Sequence, residues 1–363
     1  MGFDFEPGEE LSLVQQTARE LGEQQLRPAI RTSESARTVD EGVRRAWDGV
    51  GLSSLELPEA LGGAGLGAVA RVLVGEELGA ADPGAAVALD TLGPALYPLM
   101  ELAGDAALAE LAAPLLREPG ARALLVTHMD AQLEVSDTRV TGWVPWVPAS
   151  RADLVVVLTT DGAVAMREGI ALQPVHGSGL RAAGGSALQL NAATPVFSRF
   201  ADAAGAARAL GRARLYVASL LLGVLRQASE YARTYAQERV AFGKPIGHHQ
   251  ALAFMLTDMH SAVELARLLV QEAAWLCDAG MPFEAHAASA LVETIEASRF
   301  IGPGGVQVLG GHGFMQDHPV EKYNREARAL SLLLGGIDAA RQDAGAALAR
   351  TDLPVPLSSW EGE

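Results

Sequence analysis

The sequence predicts a mainly α-helical protein with a β insert, and three observations carry that prediction. Apolar residues recur at helical spacing through the first third, with Leu11, Val14, Ala18 and Leu21 as the clearest case. Between about Ala121 and Phe200, short β-prone runs alternate with turn residues. After Asp202 the helical period returns and persists almost to the end. Helices, strands and helices in that order indicate helical layers flanking a separate β domain, because a doubly wound sheet would alternate its units.

Along the chain, the first amphipathic helix ends near Pro28. The segment Pro58-Glu-Ala-Leu-Gly-Gly-Ala-Gly-Leu-Gly67 reads as a turn, followed by a helical run through Val72, Val74 and Leu78 that stops at Asp82-Pro83-Gly84. Helices resume from about Ala85 to Leu116. The runs 123–127, 154–158 and 163–166 read as strands. In the last third Leu252, Leu256, Met259, Val263, Ala266 and Val270 mark one apolar helix face. The expected division is an N-terminal helical domain at 1–120, a middle β domain at 121–200, a four-helix bundle at 201–353 and a loose tail at 354–363.

The chain has 363 residues, enough for two or three packed subdomains. Its 28 Lys and Arg against 44 Asp and Glu give a formal charge of −16. No basic block offsets it, so nucleic acid and anionic membrane are disfavoured as partners, and a small molecule or another protein is favoured. The acidic start lacks the basic and apolar regions of a secretory signal, and a cytoplasmic chain is expected. Leu215 to Leu225, the most apolar run, is far short of the ~20 residues needed to span a bilayer and reads as a buried helix. Cys277 is the only cysteine, which excludes an intrachain disulfide and a cysteine-based zinc site, and it reads as a core thiol. Gly63-Ala-Gly65-Leu-Gly67 has the wrong spacing for a dinucleotide fingerprint.

Two segments carry more specific chemistry. The first is Arg239-Val-Ala-Phe242-Gly243-Lys-Pro245-Ile, followed by Gln250; the second is Gln307-Val-Leu-Gly310-Gly311-His-Gly313-Phe314, followed by Pro319-Val-Glu-Lys and Arg325-Glu-Ala-Arg328. In types and intervals these resemble the flavin-binding signatures of acyl-CoA dehydrogenases, and the helical, β and helical order is similar to that family across nearly the whole chain. The resemblance implies an acyl-CoA dehydrogenase-like fold with FAD lying between subunits. It also implies that Arg239, Phe242, Gln250, Gln307, Gly310 and Gly311 serve the pyrophosphate and adenosine end of a neighbouring subunit's cofactor. The residue types suit that task, since a guanidinium pairs with pyrophosphate, an aromatic ring packs on apolar parts and a glycine admits close backbone approach. Taken singly, Arg239 reads as a helix cap and Phe242 as core; the constellation favours the cofactor reading instead.

The same resemblance points to what is missing. The family reaction removes a proton beside the thioester while a hydride leaves the next carbon for the flavin, which needs a carboxylate base and an oriented ring. Counting from Arg325-Glu-Ala-Arg328, the family's Glu-Gly-Thr turn reads Leu334-Gly335-Gly336 here, and the alternative base position of some members falls at Ala213. Arg212 and Arg214, its neighbours, have the wrong charge for base work. The family's Thr-Glu-Pro-x-Ala-Gly-Ser-Asp segment is absent after Val126-Thr-His-Met-Asp130, which shortens the β domain. Trp146 keeps the tryptophan of the family's Trp-Ile-Thr, but Pro148 replaces its threonine and offers neither a hydroxyl nor an N–H.

Three functional expectations follow from retained and lost residues. The first is a non-catalytic subunit of a heteromeric acyl-CoA dehydrogenase, similar to the unlike-chain enzymes of actinobacterial sterol side-chain breakdown. It would share FAD with a second subunit that carries the base and binds the acyl-CoA. The second is a homotetrameric enzyme using another base, with Asp338, Glu326, His248 and His249 as candidates. The third is a scaffold without cofactor. No catalytic residue and no metal ligand is assigned to this chain itself.

Overall fold

A computed structural model describes residues 8–129 and 132–350. The expected tail at 354–363 lies outside the described residues. Among the described residues, eight α-helices make up the N-terminal part: α1 (Glu9–Leu21), α2 (Ile30–Ala36), α3 (Glu41–Val50), α4 (Ala68–Ala81), α5 (Pro83–Leu89), α6 (Leu96–Leu102), α7 (Gly104–Leu111) and α8 (Ala113–Leu116). Local chemistry sets several boundaries. The Asp40 carboxylate accepts from the Gly42 N–H to start α3, and Asp82 accepts from Gly84 and Ala85 to start α5 with Pro83 in its first turn. α4 is buried nearly all round, as its apolar sequence dictates.

Eight strands follow: β1 (Ala123–Thr127), β2 (Gln132–Val135), β3 (Val140–Val147), β4 (Leu154–Leu158), β5 (Ala163–Met166), β6 (Ile170–Pro174), β7 (Ser186–Ala193) and β8 (Phe197–Arg199). They form two four-stranded sheets, ordered β1-β4-β5-β8 and β2-β3-β7-β6, in which only the β1–β4 pair is parallel. β4 is an unbroken apolar run because both its faces are covered. Val155 and Val157 pack between the sheets, while Leu154, Val156 and Leu158 join the core shared with the helices.

The C-terminal part contains α9 (Ala203–Glu238), a hairpin of β9 (Val240–Ala241) and β10 (Lys244–Pro245), then α10 (Gln250–Asp278), α11 (Glu284–Leu309), α12 (Val320–Leu330) and α13 (Gly336–Arg350). The apolar run 215–225 lies buried inside α9, and among the described residues no helix is long and apolar enough to cross a membrane. α11 packs on α9, α10 and α12, and α9 packs on α4. The last contact is backbone-close: a Cβ at Gly79 would sit 2.1 Å from the Leu220 carbonyl oxygen, and one at Gly223 would sit 2.1 Å from that of Glu76. Cys277 is half-buried against the helical core and not within it, and burial pushes its thiol up to about 12.

One buried polar cluster joins all three parts. The Lys322 ammonium on α12 donates to Asp82 at the α4–α5 corner (2.9 Å) and to Glu326 one turn along α12 (2.6 Å), and Glu326 also accepts from the Leu180 N–H before β7 (2.7 Å). All three charged side chains are fully buried.

Candidate functional site

Leu334 sits on the short turn between α12 and α13 in a left-handed conformation, with φ 57° and ψ 36°, and is followed by Gly335 and Gly336 at φ 77° and 61°. Glycine takes up such angles freely, whereas a leucine there is strained by roughly 1–2 kcal/mol. The turn therefore combines glycine-like backbone angles with a side chain that can neither give nor take a proton. Leu334 is buried and lines a cavity of about 60 Å³ with Leu220, Leu330, Pro148, Tyr216 and Arg122. That volume accommodates about two water molecules and lies far below the ~300 Å³ at which small-molecule sites begin. The space that Leu334 itself lines does not fit an isoalloxazine ring.

Arg122, which the sequence reading missed, is a buried cation beside this cavity. Its guanidinium donates to the Asp90 carbonyl oxygen, and no carboxylate lies within ion-pair distance of it among the described residues. Burial lowers its pKa, against the opposing influence of Tyr216 and Asp90.

The alternative base positions fare no better. Ala213 is fully buried in α9. Arg212 is tied to Glu56 (3.0 Å) and Glu101 (3.1 Å), and Arg214 to Asp343 (2.5 Å). Glu326, a candidate base from sequence, is corrected by the geometry: burial raises its pKa, but the carboxylate is enclosed by Lys322 and the Leu180 N–H and faces no opening. His248 and His249 lie just before α10, neither lines the cavities beside Leu334 and Gly335, and His249 Nε2 is 3.2 Å from the Ala241 carbonyl oxygen. Asp338 alone borders a sizeable space, a cavity of about 560 Å³ beside Gly335 that also contacts His128, Gln342 and Asp343.

The residues assigned to the neighbour's cofactor end present a different surface. α9 ends at Arg239, whose backbone N–H caps the helix by donating to Tyr235 O (2.9 Å), so the helix-capping reading holds for the main chain. The Arg239 guanidinium itself is exposed and forms no ion pair with any described residue. Phe242 and Gly243 form the tip of the β9–β10 hairpin at φ 53° and 79°, the double positive φ of a type I′ turn. The Phe242 ring is 96 % exposed, so the core reading of this residue is wrong. Gln250 opens α10 and Gln307 lies in the last turn of α11; both are exposed. Gly310 needs glycine for its φ of 56°, while nothing in the chain lies within 4 Å of a Cβ placed on either Gly310 or Gly311. The freedom of space at Gly311 means that any need for a small residue arises outside this chain.

Exposed donors, a strained exposed ring and an open glycine are chemically suited to the anionic, flat-ringed end of a dinucleotide. Side-chain bonds bring the two segments together. Tyr235, one turn before Arg239, is hydrogen-bonded to His312, the residue after Gly311 (Oη to Nδ1, 2.8 Å).

The family of the acyl-CoA dehydrogenase N-terminal domain matches residues 8–118, and that of the acyl-CoA dehydrogenase C-terminal domain matches residues 204–349. The short-chain specific acyl-CoA dehydrogenase of Bos taurus mitochondria is 30% identical over 364 residues, covering 89% of this chain and 86% of its own length. The structure of butyryl-CoA dehydrogenase from Megasphaera elsdenii superposes with a TM-score of 0.85 at 23% identity, over 96% of this chain and all 100% of the other, a likeness of fold. A variant of the Tcur3481-Tcur3483 steroid ACAD superposes with a TM-score of 0.81 at 26% identity, over 94% and 98% of the two chains. With family matches on both helical parts and a relative aligned through nearly its whole length, this chain belongs to the acyl-CoA dehydrogenase family.

Proposed function

We propose that this chain is the non-catalytic subunit of a heteromeric FAD-dependent acyl-CoA dehydrogenase. In this reading a second acyl-CoA dehydrogenase-like chain binds the acyl-CoA and supplies the catalytic glutamate. The observation that carries it is Leu334: a left-handed turn where the family's base would stand, carrying a side chain without a proton-accepting atom over a cavity of about 60 Å³. FAD, when bound, supplies the hydride acceptor for α,β-desaturation. This chain's own part is to hold the far end of the dinucleotide through Arg239, Phe242, Gln250, Gln307 and the backbone at Gly310 and Gly311. The likeness to a steroid ACAD supports a sterol-side-chain-derived thioester as the substrate class.

The test is turnover with an artificial electron acceptor, for this chain alone, for the second chain alone and for both co-expressed. Desaturation of a sterol-derived acyl-CoA by the pair only supports the proposal. Desaturation by this chain alone would refute it.

A second reading rests on Asp338, the one candidate base beside a cavity of substrate size, about 560 Å³. It describes a homomeric enzyme, and it requires that the purified chain oxidise an acyl-CoA and lose that activity on Asp338→Asn. A cofactor-free scaffold is disfavoured, because a scaffold has no use for a phenyl ring held 96 % exposed at positive φ.

A further inference from the structure

Four rings at the end of the bundle form a ladder that neither the family motifs nor the chemistry of the lost base accounts for. Tyr231 and Tyr235 stand one turn apart on α9, and Arg239 is the residue at which the chain leaves that helix. His312 and His318 belong to the segment that joins α11 to α12 and carries Gly310, Gly311 and the exposed Phe314. Hydrogen bonds of 2.8 Å link Tyr235 Oη to His312 Nδ1 and Tyr231 Oη to His318 Nδ1. The two imidazoles are stacked, 5.2 Å between centroids and 11° from parallel. Each meets its tyrosine edge-on, at 5.9 Å for Tyr235–His312 and 6.1 Å for Tyr231–His318.

The far side of the same segment is also fixed. Arg31 of α2 donates to the carbonyl oxygens of Gln316 and His318, both at 3.0 Å. The segment is thus held by the rings and by Arg31, and Gly313 packs closely on Val306 of α11, while Gly310 and Gly311 face open space. Gly310, at positive φ, and Gly311 have no atom of this chain within 4 Å of a Cβ placed on them, so the ring ladder is the side-chain link between them and the end of α9.

We infer that Tyr231, Tyr235, His312 and His318 are positioning residues for the cofactor end, fixing Gly310–Gly311 relative to Arg239 so that one dinucleotide can meet both. This rests on the function proposed above. The rings are only partly buried and the hydroxyls would find water if released, so the bonds matter more for geometry than for stability. Loss of one well-placed hydrogen bond in such a site corresponds to a roughly five- to tenfold weaker hold on the ligand.

The experiment measures FAD affinity of the co-expressed two-chain complex by flavin fluorescence, with amide hydrogen exchange over 308–318 in this chain. Tyr235→Phe and His312→Leu are expected to weaken FAD binding roughly five- to tenfold and to speed exchange at Gly310 to Phe314. His312→Asn places an amide atom near the Nδ1 position and is expected to restore both values to within about twofold. Unchanged affinity and exchange in Tyr235→Phe and His312→Leu would overturn the inference. So would failure of His312→Asn to differ from His312→Leu. A complex that takes up no FAD in its unaltered form would refute the proposed function instead; exchange then decides the ladder, with unchanged rates in Tyr235→Phe overturning it.

Discussion

Leu334 and Pro148 line one and the same cavity of about 60 Å³, so the turn before α13 and the end of β3 close on a single small space. Leu334→Glu is expected to give no acyl-CoA turnover, since the new carboxylate enters an apolar enclosure next to the Arg122 guanidinium. Burial of the polar head should lower stability by about 1–3 kcal/mol. Denaturant unfolding and a dye-linked assay check the two halves, and turnover in this variant would show that the space admits substrate and flavin.

Phe242 combines strain with exposure, and that combination makes a two-sided prediction. Phe242→Gly relieves a left-handed backbone at φ 53°, so the lone chain should be stabilised by about 1 kcal/mol. The same change should weaken FAD retention by the two-chain complex. Thermal melts and flavin release during gel filtration measure both. Destabilisation of the lone chain would mean that the ring packs within its own subunit.

Arg239→Ala removes an exposed cation that caps nothing with its side chain. Stability should stay within about 0.5 kcal/mol, while FAD retention by the complex falls roughly tenfold as a charge-assisted contact is lost. Equal retention by the variant and the unaltered complex would remove Arg239 from the site.

Lys322 is fully buried between Asp82 and Glu326. Lys322→Met leaves two carboxylates without their cation at the meeting point of the three parts of the fold. A loss of about 3–5 kcal/mol is expected at neutral pH, measured by urea unfolding. A loss below 1 kcal/mol would show that the carboxylates discharge by protonation at little cost.

Glu77 provides a pH test. Burial would raise its pKa, but hydrogen bonds from Arg226 and Arg19 prevail and hold it down at about 2. A carboxyl depressed in the folded state contributes stability that is present above its unfolded value of about 4.5 and is lost as pH falls toward 2. Two and a half pH units correspond to about 3 kcal/mol. Glu77→Gln should be less stable at pH 7 and should show a shallower decline between pH 4.5 and 2.

Much of this was legible in the sequence, for identifiable reasons. The unbroken apolar run of β4 and the periodic faces of α9 and α10 reflect burial patterns that repeat along the chain. The turn at Leu334 could be placed by counting from Arg325, since it directly follows α12. What escaped depends on tertiary placement. Nothing in the order Val-Ala-Phe-Gly says that the ring points into solvent at positive φ, and Glu326 looked like an available base until Lys322 closed around it. Tyr231, Tyr235, His312 and His318 are separated by up to 87 positions, so only the folded bundle brings them into one stack.

Under the proposed function this chain completes another chain's flavin site and has none of its own. Native mass together with the flavin-to-protein ratio, for the lone chain and for the co-expressed pair, tests it most directly. The account predicts a colourless lone chain and a yellow mixed assembly with one FAD for each pair of unlike chains. A stable yellow homo-oligomer with one FAD per chain would contradict it.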